Sequence, residues 1–274
     1  MSLPASPRLQ QDILDISRRA GDAILQVYSQ EITVEQKADA SPLTQADLAS
    51  HHLIIEALRS LTPSVPVLSE ESATLDLSIR SRWSEYWLVD PLDGTKEFIK
   101  RNGEFTVNIA LVQNHEPVLG VVHVPVSGIT YCGVKGAGAQ RVSASGIAES
   151  ISVRIPCADP VIVVGSRSHP NPALQKHLEP LGPYELVSMG SSLKFCLVAE
   201  GKADFYPRLG PTSEWDTAAA HAVVNAAGGK VITLDGQPLR YNAKASLLNP
   251  EFLVIADSTR DWLSLFANYP RKTL

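Results

Sequence analysis

The stretch Tyr86-Trp-Leu-Val-Asp-Pro-Leu-Asp-Gly-Thr95 constrains this chain more than any other: an apolar run ends on two carboxylates three residues apart and then turns on a glycine. Val89 delivers Asp90 at the end of a strand, Pro91 removes a backbone donor, and Gly94 permits a tight turn. Asp90 and Asp93 can then project toward one point. Two carboxylates held that close repel each other unless a cation or a shared proton compensates. In isolation the same pattern also describes an Asp-rich surface turn, so its meaning depends on what else the chain brings to it.

Three other acidic sites stand at the ends of apolar elements. Glu70 and Glu71 follow the short strand Val65-Pro-Val-Leu68. Asp47 lies in the first turn of a helix that opens with Thr44-Gln-Ala-Asp47, a capping box with Asp in place of Glu or Gln. Asp216 follows Trp215 at another helix start. Capping and dipole compensation would account for Asp47 and Asp216 one at a time, and a solvated strand end for the Glu pair. Convergence on one cleft would instead make an oxygen-rich site suited to a hard divalent cation such as Mg²⁺.

The rest of the chain supplies layers for such a cleft. Leu9, Ile13, Ile16, Ala20 and Ile24 recur at helical spacing and predict an amphipathic helix over 6–28. Alternation through Phe105, Val107, Ile109 and Leu111, then 118–124 and 129–134, predicts a strand meander. From about Pro156 strands and helices alternate: strands at 161–164, 184–188, 203–206, 230–233 and 252–256, and helices at 170–181, 191–200, 215–227 and 258–268. The expected organisation is an α+β lobe over 1–155 carrying most of the acidic candidates, packed on an α/β lobe over 156–274 that carries Asp216.

Composition removes several function classes. The 274 residues are 44% hydrophobic and 19% charged, ordinary for a globular chain, and a net charge of -5 gives no global positive field for nucleic acid. Three widely spaced cysteines, Cys132, Cys157 and Cys196, form no C-x-x-C pair, so neither a zinc site nor a disulfide framework is expected. The charge-free run 117–134 is broken by Gly120, Pro125 and Ser127-Gly128 into two strands and a turn, so no membrane span is expected there. The histidines show no metal-ligand spacing.

"SEE" at 69–71, "DPLDGT" at 90–95 and "WDTAA" at 215–219 resemble, in order, the motifs of the inositol monophosphatase superfamily of Mg²⁺-dependent, lithium-sensitive phosphatases. The stretch 86–111, "SRSH" at 166–169 and the stretch 190–219 are similar to its CysQ-type 3'(2'),5'-bisphosphate nucleotidases. The resemblance implies the layered αβαβα sandwich of the inositol monophosphatase and fructose-1,6-bisphosphatase type. It implies Mg²⁺ held by Glu70, Asp90, Asp93, Asp216 and the carbonyl of Leu92, with Glu70 matched because it opens the "EES" at 70–72. Asp47 and Thr95 match the pair that activates the attacking water, and the amides of Gly94 and Thr95 match the phosphate cradle. His169, Ser191, Lys194 and Arg208 match nucleotide contacts, although solvent exposure is the usual fate of such side chains.

The implied activity is removal of the 3'-phosphate of adenosine 3',5'-bisphosphate, with 3'-phosphoadenosine 5'-phosphosulfate as a second substrate. Two other readings remain at this point: a phosphatase for inositol phosphate or fructose 1,6-bisphosphate, and a non-catalytic regulator that binds metal and phosphate. The expected location is the cytoplasm, as a monomer or homodimer. Peripheral contact with an inner membrane follows only from the resemblance, since no basic amphipathic helix supports it.

Overall fold

The computed structural model describes residues 3, 5–30, 34–36, 42–72, 76–167 and 172–270. Helix α1 (Pro7–Tyr28) starts at Ser6, whose hydroxyl accepts the amide of Leu9, with Pro7 in the first turn. Strands β1 (Val34–Gln36) and β2 (Pro42–Thr44) form an antiparallel ribbon leading into α2 (Gln45–Leu61). There follow β3 (Val67–Ser69), a 3₁₀ turn (Glu70–Ser72), α3 (Leu77–Arg80), β4 (Glu85–Asp93) and α4 (Thr95–Ile99). The meander β5 (Thr106–Gln113), β6 (Glu116–Val124) and β7 (Ile129–Val134) continues into β8 (Gly138–Val142) and β9 (Ala148–Ile151). Then come β10 (Val161–Ser166), α5 (Pro172–Leu178), β11 (Tyr184–Met189), α6 (Leu193–Ala199), β12 (Phe205–Arg208), α7 (Ala218–Ala226), β13 (Lys230–Thr233) and β14 (Phe252–Ile255).

These strands make a seven-stranded sheet ordered β3-β4-β5-β6-β7-β8-β9 and a five-stranded sheet ordered β11-β10-β12-β14-β13. Alternating side chains of each strand feed different cores. Trp87, Val89, Ile109, Leu111 and Val121 pack with Ile13, Ile16, Ile24 and Ile54 of α1 and α2. Their neighbours Leu88, Ala110, Val112 and Val122 pack instead with Ala219, Val223 and Phe195 of α7 and α6. Val164, Tyr206, Phe252 and Val254 of the smaller sheet join that same middle core, whereas Val163, Phe205, Leu253 and Ile255 face Leu178, Trp262 and Phe266. The order of layers is therefore αβαβα. Because helices cover both faces of the larger sheet, its central strands are apolar on both sides.

The middle layer depends on two glycines. Gly120 of β6 and Gly133 of β7 are paired across the sheet, and α7 lies directly on them. A Cβ at Gly120 would come within 2.1 Å of the Ala219 carbonyl oxygen, and one at Gly133 within 2.5 Å of the Val223 Cα. Only a residue without a side chain lets the helix backbone approach so closely.

Several boundaries differ from the sequence expectation, and each difference has a local cause. The helix expected over 258–268 is only a 3₁₀ turn at Leu263–Phe266. Asp257 Oδ1 instead accepts the amide and hydroxyl of Thr259 at 2.9 and 2.6 Å, and its carbonyl accepts Trp262 Nε1 at 2.7 Å, which spends those groups on a turn. The helix expected from 170 runs as α5 only to Leu178, before Pro180. The helix expected from 215 starts at Ala218, because Trp215 and Asp216 belong to a loop closed by side-chain bonds. The hairpin of β8 and β9 extends the meander beyond Val134, where polar residues hid the alternation.

Gly120→Ala is expected to destabilise the fold by roughly 2–3 kcal/mol, as an overpacked core does, read as a lower urea midpoint at unchanged m-value. A second measurement concerns acid. His221 is buried with Nδ1 2.9 Å from the Tyr241 hydroxyl, and burial pushes its pKa down to about 3. The unfolded chain therefore binds a proton below its ordinary value of 6.5 that the folded chain refuses. This contribution to stability is complete above that value and falls by about 1.4 kcal/mol per pH unit below it. In His221→Gln this part of the slope between pH 6 and pH 4 should vanish.

Candidate active site

The site is built where strand ends from one sheet meet a loop before a helix on the other side. Strands β3 and β4 run parallel with Ser69 opposite Val89, which sets Glu70 beside Asp90. The register of β4 against β5 breaks between Asp90 and Asp93, and Gly94 then turns the chain at φ +94 into α4. Ser50 of α2 braces this turn by donating to the Pro91 carbonyl at 2.7 Å, and Asp90 Oδ1 accepts the Leu92 amide at 3.1 Å. Asp216 arrives from the far side, just before α7.

One oxygen from each of Asp90, Asp93 and Asp216 lies within 4.8 Å of the others. Glu70 and Leu92 line the same cleft, which holds about 260 Å³. The cost of this crowding shows in the titration of the two strand-end carboxyls. Burial, and then the charges of Glu70, Asp93 and Asp216, drive Asp90 well above the ordinary carboxyl range. Burial and Asp216 raise Asp93 to about 6, against the opposing pull of Lys194 and of the Ser192 hydrogen bonds. The donors are all oxygens and carry several negative charges, which fits a hard divalent cation. Glu70, Asp90, Asp93, Asp216 and the Leu92 carbonyl would be the groups to hold it.

Each carboxylate is oriented from behind. Asp93 Oδ2 accepts the amide and the hydroxyl of Ser192 at 2.6 and 2.7 Å, and Asn108 Nδ2 at 3.3 Å. Asn108 also donates to Ser192 Oγ at 2.8 Å. Asp216 Oδ2 accepts the Thr212 hydroxyl at 2.6 Å and the Ser213 amide at 2.8 Å, so it closes its own loop and does not cap α7. Ser192, Asn108 and Thr212 were not among the residues singled out in the sequence. Asn108 could have been, as the one amide inside the stretch 105–111.

Asp47 is buried at the start of α2 and uses its two oxygens differently. Oδ2 accepts the Thr44 amide at 2.8 Å and the Thr44 hydroxyl at 2.6 Å, completing the capping box. Oδ1 accepts the Thr95 hydroxyl at 3.3 Å. Thr95 lines the cleft, so Asp47 reaches it through Thr95.

The opposite wall is cationic. Lys194 is buried, donates from Nζ to the Ser191 carbonyl, and stands 5.6 Å over the Tyr206 ring. Burial lowers its pKa to about 8, while Asp93 pulls it upward. Arg208 also lines the cleft, its guanidinium held by the carbonyls of Gly210 and Pro211. Ser191 sits at φ +43 with its buried hydroxyl unpaired. His169 lies outside the described residues. Beyond Ser166, Tyr206 and Arg208 the cleft adjoins a second cavity of about 530 Å³, walled by Leu174, Leu178, Tyr184 and Leu186.

The inositol monophosphatase family model matches residues 9–268. The chain belongs to that family. It is 52% identical over 244 residues to the 3'(2'),5'-bisphosphate nucleotidase CysQ of Escherichia coli K12, a match covering 88% of this chain and 97% of the relative. The crystal structure of CysQ from Bacteroides thetaiotaomicron, a bacterial member of the family, superposes with a TM-score of 0.78 at 47% identity, covering 92% of this chain and 98% of that one. An inositol monophosphatase from Anabaena has the same fold at 27% identity and a TM-score of 0.74, with 96% of this chain and 97% of that one covered. With the family and these relatives, the chain is an enzyme, a phosphatase.

Ser192→Ala removes the hydroxyl that joins Asp93, Asn108 and the Asp216 carbonyl. It should weaken divalent-cation binding about 10- to 100-fold, as loss of a ligand-orienting group does, read by titrating the cation against the thermal midpoint.

Proposed function

We propose that this enzyme is a Mg²⁺-dependent 3'(2'),5'-bisphosphate nucleotidase that converts adenosine 3',5'-bisphosphate to AMP and phosphate, and that it also accepts 3'-phosphoadenosine 5'-phosphosulfate. One observation carries the choice of substrate. The carboxylate cleft opens past Lys194 and Arg208 into an apolar cavity, so a phosphate ester, a second anion and a flat apolar body have separate places in line. The CysQ relatives bear the corresponding name. A monophosphate of inositol would use the carboxylate end and leave the buried cation and the apolar cavity without a purpose. The three cysteines are free thiols, which suits the reducing cytoplasm proposed as its location. Among the described residues no helix is long and apolar enough to cross a membrane.

Mg²⁺ bound by Glu70, Asp90, Asp93, Asp216 and the Leu92 carbonyl would supply positive charge that acidifies a water and neutralises phosphoryl oxygens. The chain's own groups do the rest. Thr95 donates its hydroxyl hydrogen bond to Asp47 Oδ1, which leaves the lone pairs of its oxygen to accept a hydrogen bond from the attacking water. Asp47 is fixed in that pose by Thr44 and receives the proton that the water loses through Thr95. The amides of Gly94 and Thr95, at the first turn of α4, are outside the helix ladder and suit an anionic oxygen. The bond between phosphorus and the 3'-oxygen breaks as the bond from water forms on the opposite side, the leaving 3'-oxygen takes a proton from solvent water in the open cleft, Asp47 returns its proton to solvent, and no covalent enzyme intermediate forms. Lys194 and Arg208 hold the second phosphate, away from the bond that breaks.

The deciding experiment is phosphate release from adenosine 3',5'-bisphosphate, inositol 1-phosphate and fructose 1,6-bisphosphate, each with and without Mg²⁺. Preference for the nucleotide by about 100-fold or more in kcat/KM, a discrimination of roughly 2.7 kcal/mol, is the expected result. A preference for inositol 1-phosphate would reject the nucleotide. Asp90→Asn should lose more than about 99% of turnover, a figure typical of removing a charge that acts in the transition state. It should also lose any Mg²⁺-induced rise in thermal midpoint while remaining folded.

A further inference from the structure

A second set of charged contacts lies beside the cleft without lining it. Arg167 directly follows β10, and its Nε and Nη2 donate to Glu104 Oε2 and Oε1, both at 2.8 Å. Nη2 also donates to the Ser188 carbonyl at 2.8 Å, and the Arg167 amide to the Met189 carbonyl at 3.2 Å, both in β11. Glu104 Oε2 accepts the amide of Gly190 at 2.7 Å. One carboxylate thus ties the approach to β5, the end of β10 and the loop after β11. Packing reinforces the tie, since a Cβ at Gly190 would lie 2.9 Å from the Glu104 carbonyl oxygen and 2.8 Å from Glu97 Cγ.

That loop delivers two different services. Ser192 is anchored on Asp93 by two bonds of its own. Ser191, between Gly190 and Ser192, is held at φ +43, and its carbonyl takes the Lys194 ammonium. A serine adopts such a backbone only when its surroundings impose it. Here the two impositions are the Ser192 bonds on one side and the Glu104 bond to Gly190 on the other. Releasing Gly190 would free the Ser191 carbonyl, and with it Lys194, while Asp93 kept its partner.

We propose that Glu104 and Arg167 are positioning residues for substrate affinity: by holding Gly190 they aim the Ser191 loop and Lys194 at the second phosphate, without taking part in bond cleavage. This rests on the nucleotidase reading above. A purely stabilising role is a poor account of the pair. The Arg167 side chain is 47% exposed, and ion pairs at the surface contribute little stability. What a two-pronged guanidinium–carboxylate contact supplies is direction.

The test is steady-state kinetics of the Mg²⁺-loaded full chain on adenosine 3',5'-bisphosphate, with the thermal midpoint measured alongside. Glu104→Ala should raise KM about tenfold and Arg167→Ala about threefold, with kcat within about twofold of the parent in both. Arg167→Ala is the milder because Glu104 still holds Gly190. The double variant should match Glu104→Ala within about twofold, because both substitutions release the same loop. Arg167→Lys, which keeps the charge but loses the fork, should behave like Arg167→Ala and keeps the test open if Glu104→Ala fails to fold. A parent-like KM in these variants, or a fall in kcat at unchanged KM, overturns the proposal. Failure of the parent chain to turn over this substrate overturns the nucleotidase reading instead.

Discussion

The mutual repulsion of Asp90, Asp93 and Asp216 is the constraint to which the rest of the structure answers. Three carboxyl oxygens within 4.8 Å, two of them on carboxyls driven upward in pKa by burial and by one another, are an arrangement that folding alone would avoid. They stay together because each is tied to backbone that has no alternative. Asp90 and Asp93 flank a strand end braced by Ser50, and Asp216 closes a loop on Thr212 and Ser213. Ser192 then joins the two halves, its single hydroxyl proton shared between the Asp93 carboxylate and the Asp216 carbonyl, each 2.7 Å away. The site is therefore a place where stability is given up locally and recovered when a cation binds.

The layered core makes that tolerable. Asp90 and Asp93 come from the larger sheet and Asp216 from the start of α7, so their spacing is set by how closely α7 approaches β6 and β7. Gly120 and Gly133 fix that approach with backbone against backbone, which leaves no side chain to repack if the helix drifts. A buried chain of hydrogen bonds supports the same end of α7. Asn249 and Tyr241 both donate to Thr217 Oγ1, Thr217 donates to the Glu214 carbonyl, and His221 Nδ1 lies against the Tyr241 hydroxyl. Since a carbonyl only accepts and an amide nitrogen only donates, the chain has one direction, which puts a proton on His221 Nδ1, while burial keeps the ring neutral near pH 7.

Much of this was legible in the sequence because the patterns were local. The helical spacing of Leu9, Ile13, Ile16, Ala20 and Ile24 and the alternation along 105–111 needed no partner to be recognised; the buried face of the helix follows the first, whereas the strand is buried on both faces. Where the reading stopped short, the deciding bond was one that periodicity does not register. Asp257 turned the expected final helix into loop, and nothing within 258–268 announces that. Asp47 shows a different limit. From sequence, capping and a role beside the cleft stand as alternatives for one carboxylate. The structure has the same side chain capping α2 through Oδ2 and meeting Thr95 through Oδ1. Ser192 and Thr212 stayed invisible because a serine or threonine gains meaning only from the distant carboxylate it faces.

The two ends of the cleft are built from different material, and this separates chemistry from recognition. The carboxylate end consists of strand termini and a helix cap, buried and cross-bonded, where a shift of one residue would turn a ligand to the wrong face. The opposite end consists of Gly190 and Ser191, the strand terminus at Ser166 and the segment around Arg208 and Pro211, with Gly190 held by the Glu104 carboxylate and with Lys194 and Arg208 held by backbone carbonyls. Such segments can change without disturbing the carboxylates. A family that keeps the first end and varies the second would retain one reaction and serve several phosphate esters. In this chain the second end has a buried cation and an adjoining apolar cavity, and the proposed choice of a nucleotide over a simple sugar phosphate rests on that pairing.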